Sequence, residues 1–159
     1  MKSSRPENLS KPTDPQNVRN RQAKKIADFI RDETAGDEKD VLVIGDYNMI
    51  PGQDNPNFRA MSPGSGSSEF LRYISTESVI GQISRIGQCV NGKAQGNLLD
   101  GFAISKTFTR EYVPESMIII KPNDSIFTSG AALGCTKYRN TFSDHLPLMA
   151  RFRTNQDDD

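Results

Sequence analysis

The chain has no tryptophan, a single histidine and only two cysteines among its 159 residues. Any histidine chemistry must therefore run through one side chain, His145. There is no C-x-x-C pair and no Cys/His cluster, which argues against a structural zinc site. Cys89 and Cys135 are far apart in sequence and leave two readings open, one disulfide in an exported protein or two free thiols in a cytosolic one. No apolar run is long enough to span a bilayer, so no membrane segment is expected, and there is no signal-peptide pattern. Net charge is lacking too: 20 basic residues balance 20 acidic ones, which removes any global attraction to nucleic acid. Apolar content is thin, at 35% hydrophobic residues with a mean hydropathy of −0.61. That is low for an α/β core, yet without the strong net charge of a disordered chain.

Against this sparse background, two polar strings stand out. Gly45-Asp46-Tyr47-Asn48 follows the apolar run Val41-Leu42-Val43-Ile44, itself preceded by the charged turn Gly36-Asp37-Glu38-Lys39-Asp40. The run reads as a strand buried on both faces. Residues two apart on an extended backbone share a side, so Asp46 and Asn48 face one ligand while Tyr47 turns into the protein. The alternative is that both are turn residues closing a strand, a role their side chains favour.

The second string, Ser143-Asp144-His145, leads into Leu146-Pro147-Leu148-Met149-Ala150-Arg151-Phe152, whose alternation predicts a C-terminal strand. Adjacent strand residues point to opposite sides, so Asp144 and His145 serve different partners unless the backbone bends. Asp144 suits a hard, oxygen-seeking cation, and His145 suits a phosphate oxygen or a water proton. Between the two strings, Asn97-Leu98-Leu99-Asp100-Gly101-Phe102-Ala103-Ile104-Ser105 is an apolar strand interrupted by one acid. A carboxylate buried mid-strand is costly without a partner. His145 is the partner expected for Asp100, which would fix the imidazole tautomer; the alternative is that Asp100 only opens a turn with Gly101.

These three blocks, in this order and in these strand contexts, resemble the endonuclease/exonuclease/phosphatase superfamily, the group that includes pancreatic deoxyribonuclease and abasic-site endonucleases. The matching residues are Gly45, Asp46 and Asn48, then Asp100 with Ile104-Ser105, then Ser143, Asp144 and His145. Each block is weak alone and the ordered set is specific. The resemblance implies an α/β (α+β) fold. It would be the C-terminal half of a four-layered α/β/β/α sandwich, with a mainly antiparallel or mixed sheet and one long N-terminal helix. It also implies a divalent-metal-dependent phosphoesterase, a nuclease above all, that hydrolyses phosphodiester bonds by in-line attack of water with Mg²⁺ or Mn²⁺. Asp46 would orient or deprotonate the water and Asn48 bind a phosphate oxygen. Asp144 would contribute to the metal site, and His145, held by Asp100, would stabilise the developing charge. Arg139, just ahead of the last block, would touch substrate phosphate or be an ordinary surface arginine.

The departures matter as well. Nothing before Gly45 resembles the family's early Asn block or its metal-binding Glu block, and Lys2-Ser3-Ser4 looks like the stretch that follows the first family histidine. The chain thus resembles a member from which the first half is missing. The alternative function is accordingly a catalytically weak or inactive fragment that binds phosphate or nucleic acid. A complementing N-terminal half, or self-association through an uncovered apolar face, is the expected partnership beside a nucleic-acid substrate.

The remaining organisation is simple. Residues 1–16 form an irregular segment, 17–153 the partial domain, and 154–159 an acidic disordered tail. Asn17 to Glu33 predicts a helix with Asn17 in the N-cap region and Val18, Ala23, Ile26, Ala27 and Ile30 on its apolar stripe. Over residues 1–31, eight Lys or Arg stand against three acids, either a phosphate-facing surface or a solvated helix face. Glu69 to Ile74 predicts a short helix capped by Ser67 or Ser68. Asn91-Gly92 predicts a type I′ hairpin turn, Met117 to Lys121 a further strand, and residues 122 to 142 a long polar loop.

Overall fold

A computed structural model describes residues 1, 4–33, 40–62, 64, 70–106, 110–121 and 133–155. Lys2 and Ser3, most of the charged turn before Val41, the Ser67/Ser68 cap, residues 122–132 of the expected loop and the Asp157–Asp159 tail lie outside that set.

The first element is helix α1 (Pro15–Glu33), which begins two residues ahead of the expected start because Asp14, not Asn17, caps it. Asp14 Oδ1 accepts the Gln16 N–H at 2.9 Å, with Pro15 at the first helical position, where its missing N–H costs nothing. The other Asp14 oxygen accepts the N–H groups of Glu7 and Asn8 at 2.8 and 2.7 Å. Asn17 instead donates to the carbonyls of Leu9 and Lys11. The irregular segment ahead of the helix is therefore tied to it. Ala23 and Ile30 are buried, as the stripe predicts, and so is Arg19. Arg19 donates to the Ser4 carbonyl and lies 3.6 Å from Asp54, so this cation serves the interior. Helix α2 (Asn55–Met61) packs on α1.

Among the described residues the fold is α+β, with four helices and three small antiparallel sheets. Strands β1 (Leu42–Asp46), β2 (Leu71–Arg72) and β5 (Asp100–Ser105) form one sheet in the order β1-β5-β2. Strands β3 (Arg85–Val90) and β4 (Lys93–Asn97) form a hairpin. Its turn has Asn91 at φ 49° and Gly92 at φ 74°, both positive as a type I′ turn requires. Strands β6 (Ile118–Ile119) and β7 (Leu148–Met149) pair as a short ribbon, extended by a Tyr112–Phe152 bridge. Helices α3 (Ile74–Ser78) and α4 (Cys135–Thr141) complete the list.

Strand β5 separates two apolar clusters. Its side chains alternate faces, so Ala103 joins Ala23, Ile30, Tyr47, Met49 and Met61 under α1. Ile104 joins Ile74, Ile86, Tyr138 and Leu146 on the other side. Cys89 of β3 and Cys135 of α4 are disulfide-bonded, which closes the question the sequence left open. No described helix is long and apolar enough to cross a membrane.

Three expectations change. The Val41–Ile44 run is not buried on both faces: Leu42 and Ile44 share one face of β1 and are 40% and 60% exposed. The helix expected over 69–74 is replaced, from Leu71 on, by β2 followed by α3. The expected loop over 122–142 contains α4 at its end.

Candidate active site

The register of the β1–β5 ladder creates the site. Val43 pairs with Ala103, Gly45 with Gly101 and Asp46 with Asp100, and directly opposed residues share a face. Two carboxylates thus meet where the ladder ends. Gly45 precedes them at φ +143°, a backbone angle that side-chain-bearing residues rarely adopt. Tyr47 turns inward and is 5% exposed, with its hydroxyl donating to the Val43 carbonyl at 2.7 Å. Burial, with Tyr73 nearby, raises its pKa well above that of an ordinary phenol, so Tyr47 is a packing residue. A Cβ on Gly101 would lie 2.7 Å from the Tyr47 ring. Glycine there lets Tyr47 sit down on β5.

Asp46 and Asn48 do face one another. The Asn48 amide nitrogen donates to Asp46 Oδ2 at 2.6 Å and its backbone N–H to Oδ1 at 2.8 Å. Asn48 adopts φ 49°, a left-handed conformation that asparagine tolerates. Its side-chain nitrogen also donates to the Met1 carbonyl.

On β5, Asp100 is paired as expected. His145 Nδ1 lies 3.0 Å from Oδ1 and 2.8 Å from Oδ2. One ligand-capable atom from each of Asp46, Asp100 and His145 falls within 4.8 Å of the other two, all three groups being partly buried. Exposed acids gather often without an ion, so this proximity alone is no evidence of magnesium.

Three residues that sequence reasoning missed hold this group in place. Ser84 is 0% exposed; its hydroxyl donates to Asp100 Oδ2 at 2.7 Å and accepts the N–H groups of Leu99 and Asp100 at 2.9 Å each. One donor and two acceptor positions exhaust a serine hydroxyl. Tyr138 of α4, buried with its pKa raised by that burial, donates to the His145 carbonyl at 3.0 Å. Arg85 of β3 places Nε and Nη2 each 3.1 Å from Asp144 Oδ2. Of the three, Tyr138 alone gave a signal, its nearness to the Ser-Asp-His block.

The bend needed between Asp144 and His145 comes from Ser143, whose hydroxyl accepts the His145 N–H at 2.9 Å. It turns His145 toward Asp100 and Asp144 toward Arg85. Asp144 is thus not among the three converging groups. Arg139 is exposed in the last turn of α4, in keeping with an ordinary surface arginine.

A cavity of about 550 Å³ lies nearby, lined by Ile83, Ala94, Ile119, Cys135 and Leu146 among others. Its lining includes none of Asp46, Asp100 and His145.

Compared with family models, characterised proteins and solved structures, the chain finds no match. The functional reading therefore rests on the three motifs and on the geometry just described.

Proposed function

We propose that the chain is a divalent-metal-dependent phosphoesterase of the endonuclease/exonuclease/phosphatase type that hydrolyses phosphodiester bonds in nucleic acid. We further propose that its α+β elements correspond to part of a four-layered α/β/β/α sandwich. The observation that carries the reading is the opposed pair Asp46 and Asp100 with His145 bonded to Asp100. Like charges directly opposed in a ladder are destabilising. A fold that keeps them side by side at a strand end has a use for cationic or protonic chemistry there.

The residues divide the work. Asp46 takes a proton from the attacking water, and Asn48, already bonded to it, orients that carboxylate and reaches the phosphate. His145 meets a phosphate oxygen through Nε2, because Nδ1 is committed to Asp100. Ser84 and Tyr138 keep the dyad in place. Three carboxylates, Asp46, Asp100 and Asp144, outnumber one guanidinium and one imidazole here, so a phosphate anion needs an added cation. The donor set fits Mg²⁺ or Mn²⁺, which bind through one or two carboxylates with water and substrate completing the shell. Asp144 would hold the ion by giving up its pair with Arg85, and the ion would supply charge neutralisation at the phosphate oxygens.

A second reading has its own observation: each Asp46 oxygen already accepts from Asn48, and Asp144 is paired with Arg85. That arrangement would suit a weakly catalytic or non-catalytic module that binds phosphate or nucleic acid. Incubation of purified chain with supercoiled plasmid and Mg²⁺ separates the two. Nicking that EDTA abolishes supports the enzyme; DNA retention without nicking supports the module and defeats the enzyme.

A further inference from the structure

Arg85 and His145 form an isolated antiparallel bridge. The Ile86 N–H donates to the Asp144 carbonyl and the Leu146 N–H to the Ser84 carbonyl, both at 2.6 Å. This is the pattern of a non-hydrogen-bonded pair, in which the Cα atoms approach to about 4.5 Å and the side chains leave on the same face. On its other side, Arg85 pairs with Asn97 of β4. An amide, a guanidinium and an imidazole therefore form a row of hydrogen-bond donors across three neighbouring segments. The row ends at the residue that contacts Asp100.

Arg85 is currently occupied by Asp144, yet weakly. Both of its bonding nitrogens converge on a single oxygen, Oδ2, rather than matching a two-oxygen acceptor. The two side chains are 42% and 40% exposed, and an ion pair that exposed contributes little. A phosphate, with two oxygens in the guanidinium plane, is the better-matched partner. A metal drawing on Asp144 would loosen the pair further.

We infer that Arg85, with Asn97 beside it, binds the phosphate next to the one being hydrolysed, so that the substrate is a strand of consecutive phosphodiesters rather than a compact phosphate ester. This rests on the reading of His145 as the group facing the scissile phosphate. The bridge sets Arg85 and His145 side by side on one face, about 4.5 Å apart at Cα in a pair of this kind, so that neighbouring phosphates can meet neighbouring donors.

The test is binding of a short, cleavage-resistant phosphorothioate oligonucleotide at constant Mg²⁺ across a series of KCl concentrations, followed by fluorescence anisotropy. Arg85→Ala should weaken binding about tenfold and reduce the salt slope by ~0.7, the loss of one single-strand phosphate contact. Arg85→Lys should keep the slope, because the charge remains, and bind with intermediate affinity. An unchanged slope in Arg85→Ala overturns the inference, as does failure of the unaltered chain to bind the oligonucleotide. Hydrolysis of bis(p-nitrophenyl) phosphate, which carries a single phosphate, reports the proposed reaction separately. Hydrolysis with an unchanged Arg85→Ala slope overturns this inference alone, and absence of hydrolysis overturns the reaction.

Discussion

Asp46 and Asp100 stand opposite one another across the β1–β5 ladder, and the carboxylate of Asp100 is held by the buried hydroxyl of Ser84. Ser84 also accepts two backbone N–H groups and offers its carbonyl to Leu146. It links β5 to the Ser-Asp-His block through one side chain and one peptide. Ser84→Ala leaves two donors without a partner in the interior. Each such loss costs about 1–3 kcal/mol, so the variant should lose roughly 2–6 kcal/mol in urea unfolding with its m-value unchanged. A loss below about 0.5 kcal/mol would show that water replaces the hydroxyl.

Asp100 was expected inside a strand beginning at Asn97 and instead opens β5, but its block, like those of Asp46 and His145, was legible in the sequence because polar residues stand out against the apolar run beside them. Ser84 and Arg85 were not, since neither carries a local pattern and only the hairpin's return across the Ser-Asp-His block brings them to the site. The apolar Val41–Ile44 run looks the same in sequence whether one face of its strand is covered or both; that is decided by what packs on the sheet, a long-range property. Asn17 was a sound cap by residue type, but Asp14 stands one residue before a proline suited to the first helical position, and it could also gather Glu7 and Asn8. Helix α4 runs only from Cys135 to Thr141 and has too few residues to show a period.

The disulfide spans 46 residues of sequence and ties β3, which carries Arg85, to α4, which carries Tyr138. Chain-entropy reasoning gives about 4 kcal/mol for a loop of this length. Reduction, or a Cys89→Ser/Cys135→Ser pair, should lower the melting temperature by roughly 10 °C or more. A midpoint unchanged by reductant in calorimetry would show that the bond contributes nothing.

Acid sensitivity is expected at the start of α1. Burial acts to raise the pKa of Asp14, but the N–H groups of Glu7, Asn8 and Gln16, with Arg19 nearby, outweigh it and hold the carboxyl below its ordinary value of 3.8. A folded value below the unfolded one means that the stabilisation is fully present at neutral pH and is lost as pH falls below about 4, through the folded value. Asp14→Asn should flatten the loss of helical circular dichroism in that window. An acid transition identical in both proteins would remove Asp14 from the account.

Strand β1 leaves Leu42 and Ile44 exposed on one face and, among the described residues, lies at a sheet edge without the lysine, proline or bulge that ordinarily protects one. Self-association through this edge, or its coverage by a complementing segment, is the expected behaviour. Sedimentation velocity should show concentration-dependent species above the monomer, and Ile44→Lys should shift them toward monomer. A monodisperse monomer for the unaltered chain at high concentration would contradict the expectation.

The central claim is that Asp46, Asp100 and His145 form one hydrolytic unit, and the most direct measurement is the Mg²⁺-dependent rate of plasmid nicking by the unaltered chain and by Asp46→Ala, His145→Ala and Asp100→Asn, each checked for fold by circular dichroism. The account predicts EDTA-sensitive nicking that falls at least about 10²-fold in each variant, with an Asp100→Asn/His145→Ala double variant no worse than His145→Ala, as members of a unit behave. No nicking by the unaltered chain, or equal rates in all four proteins, would contradict it.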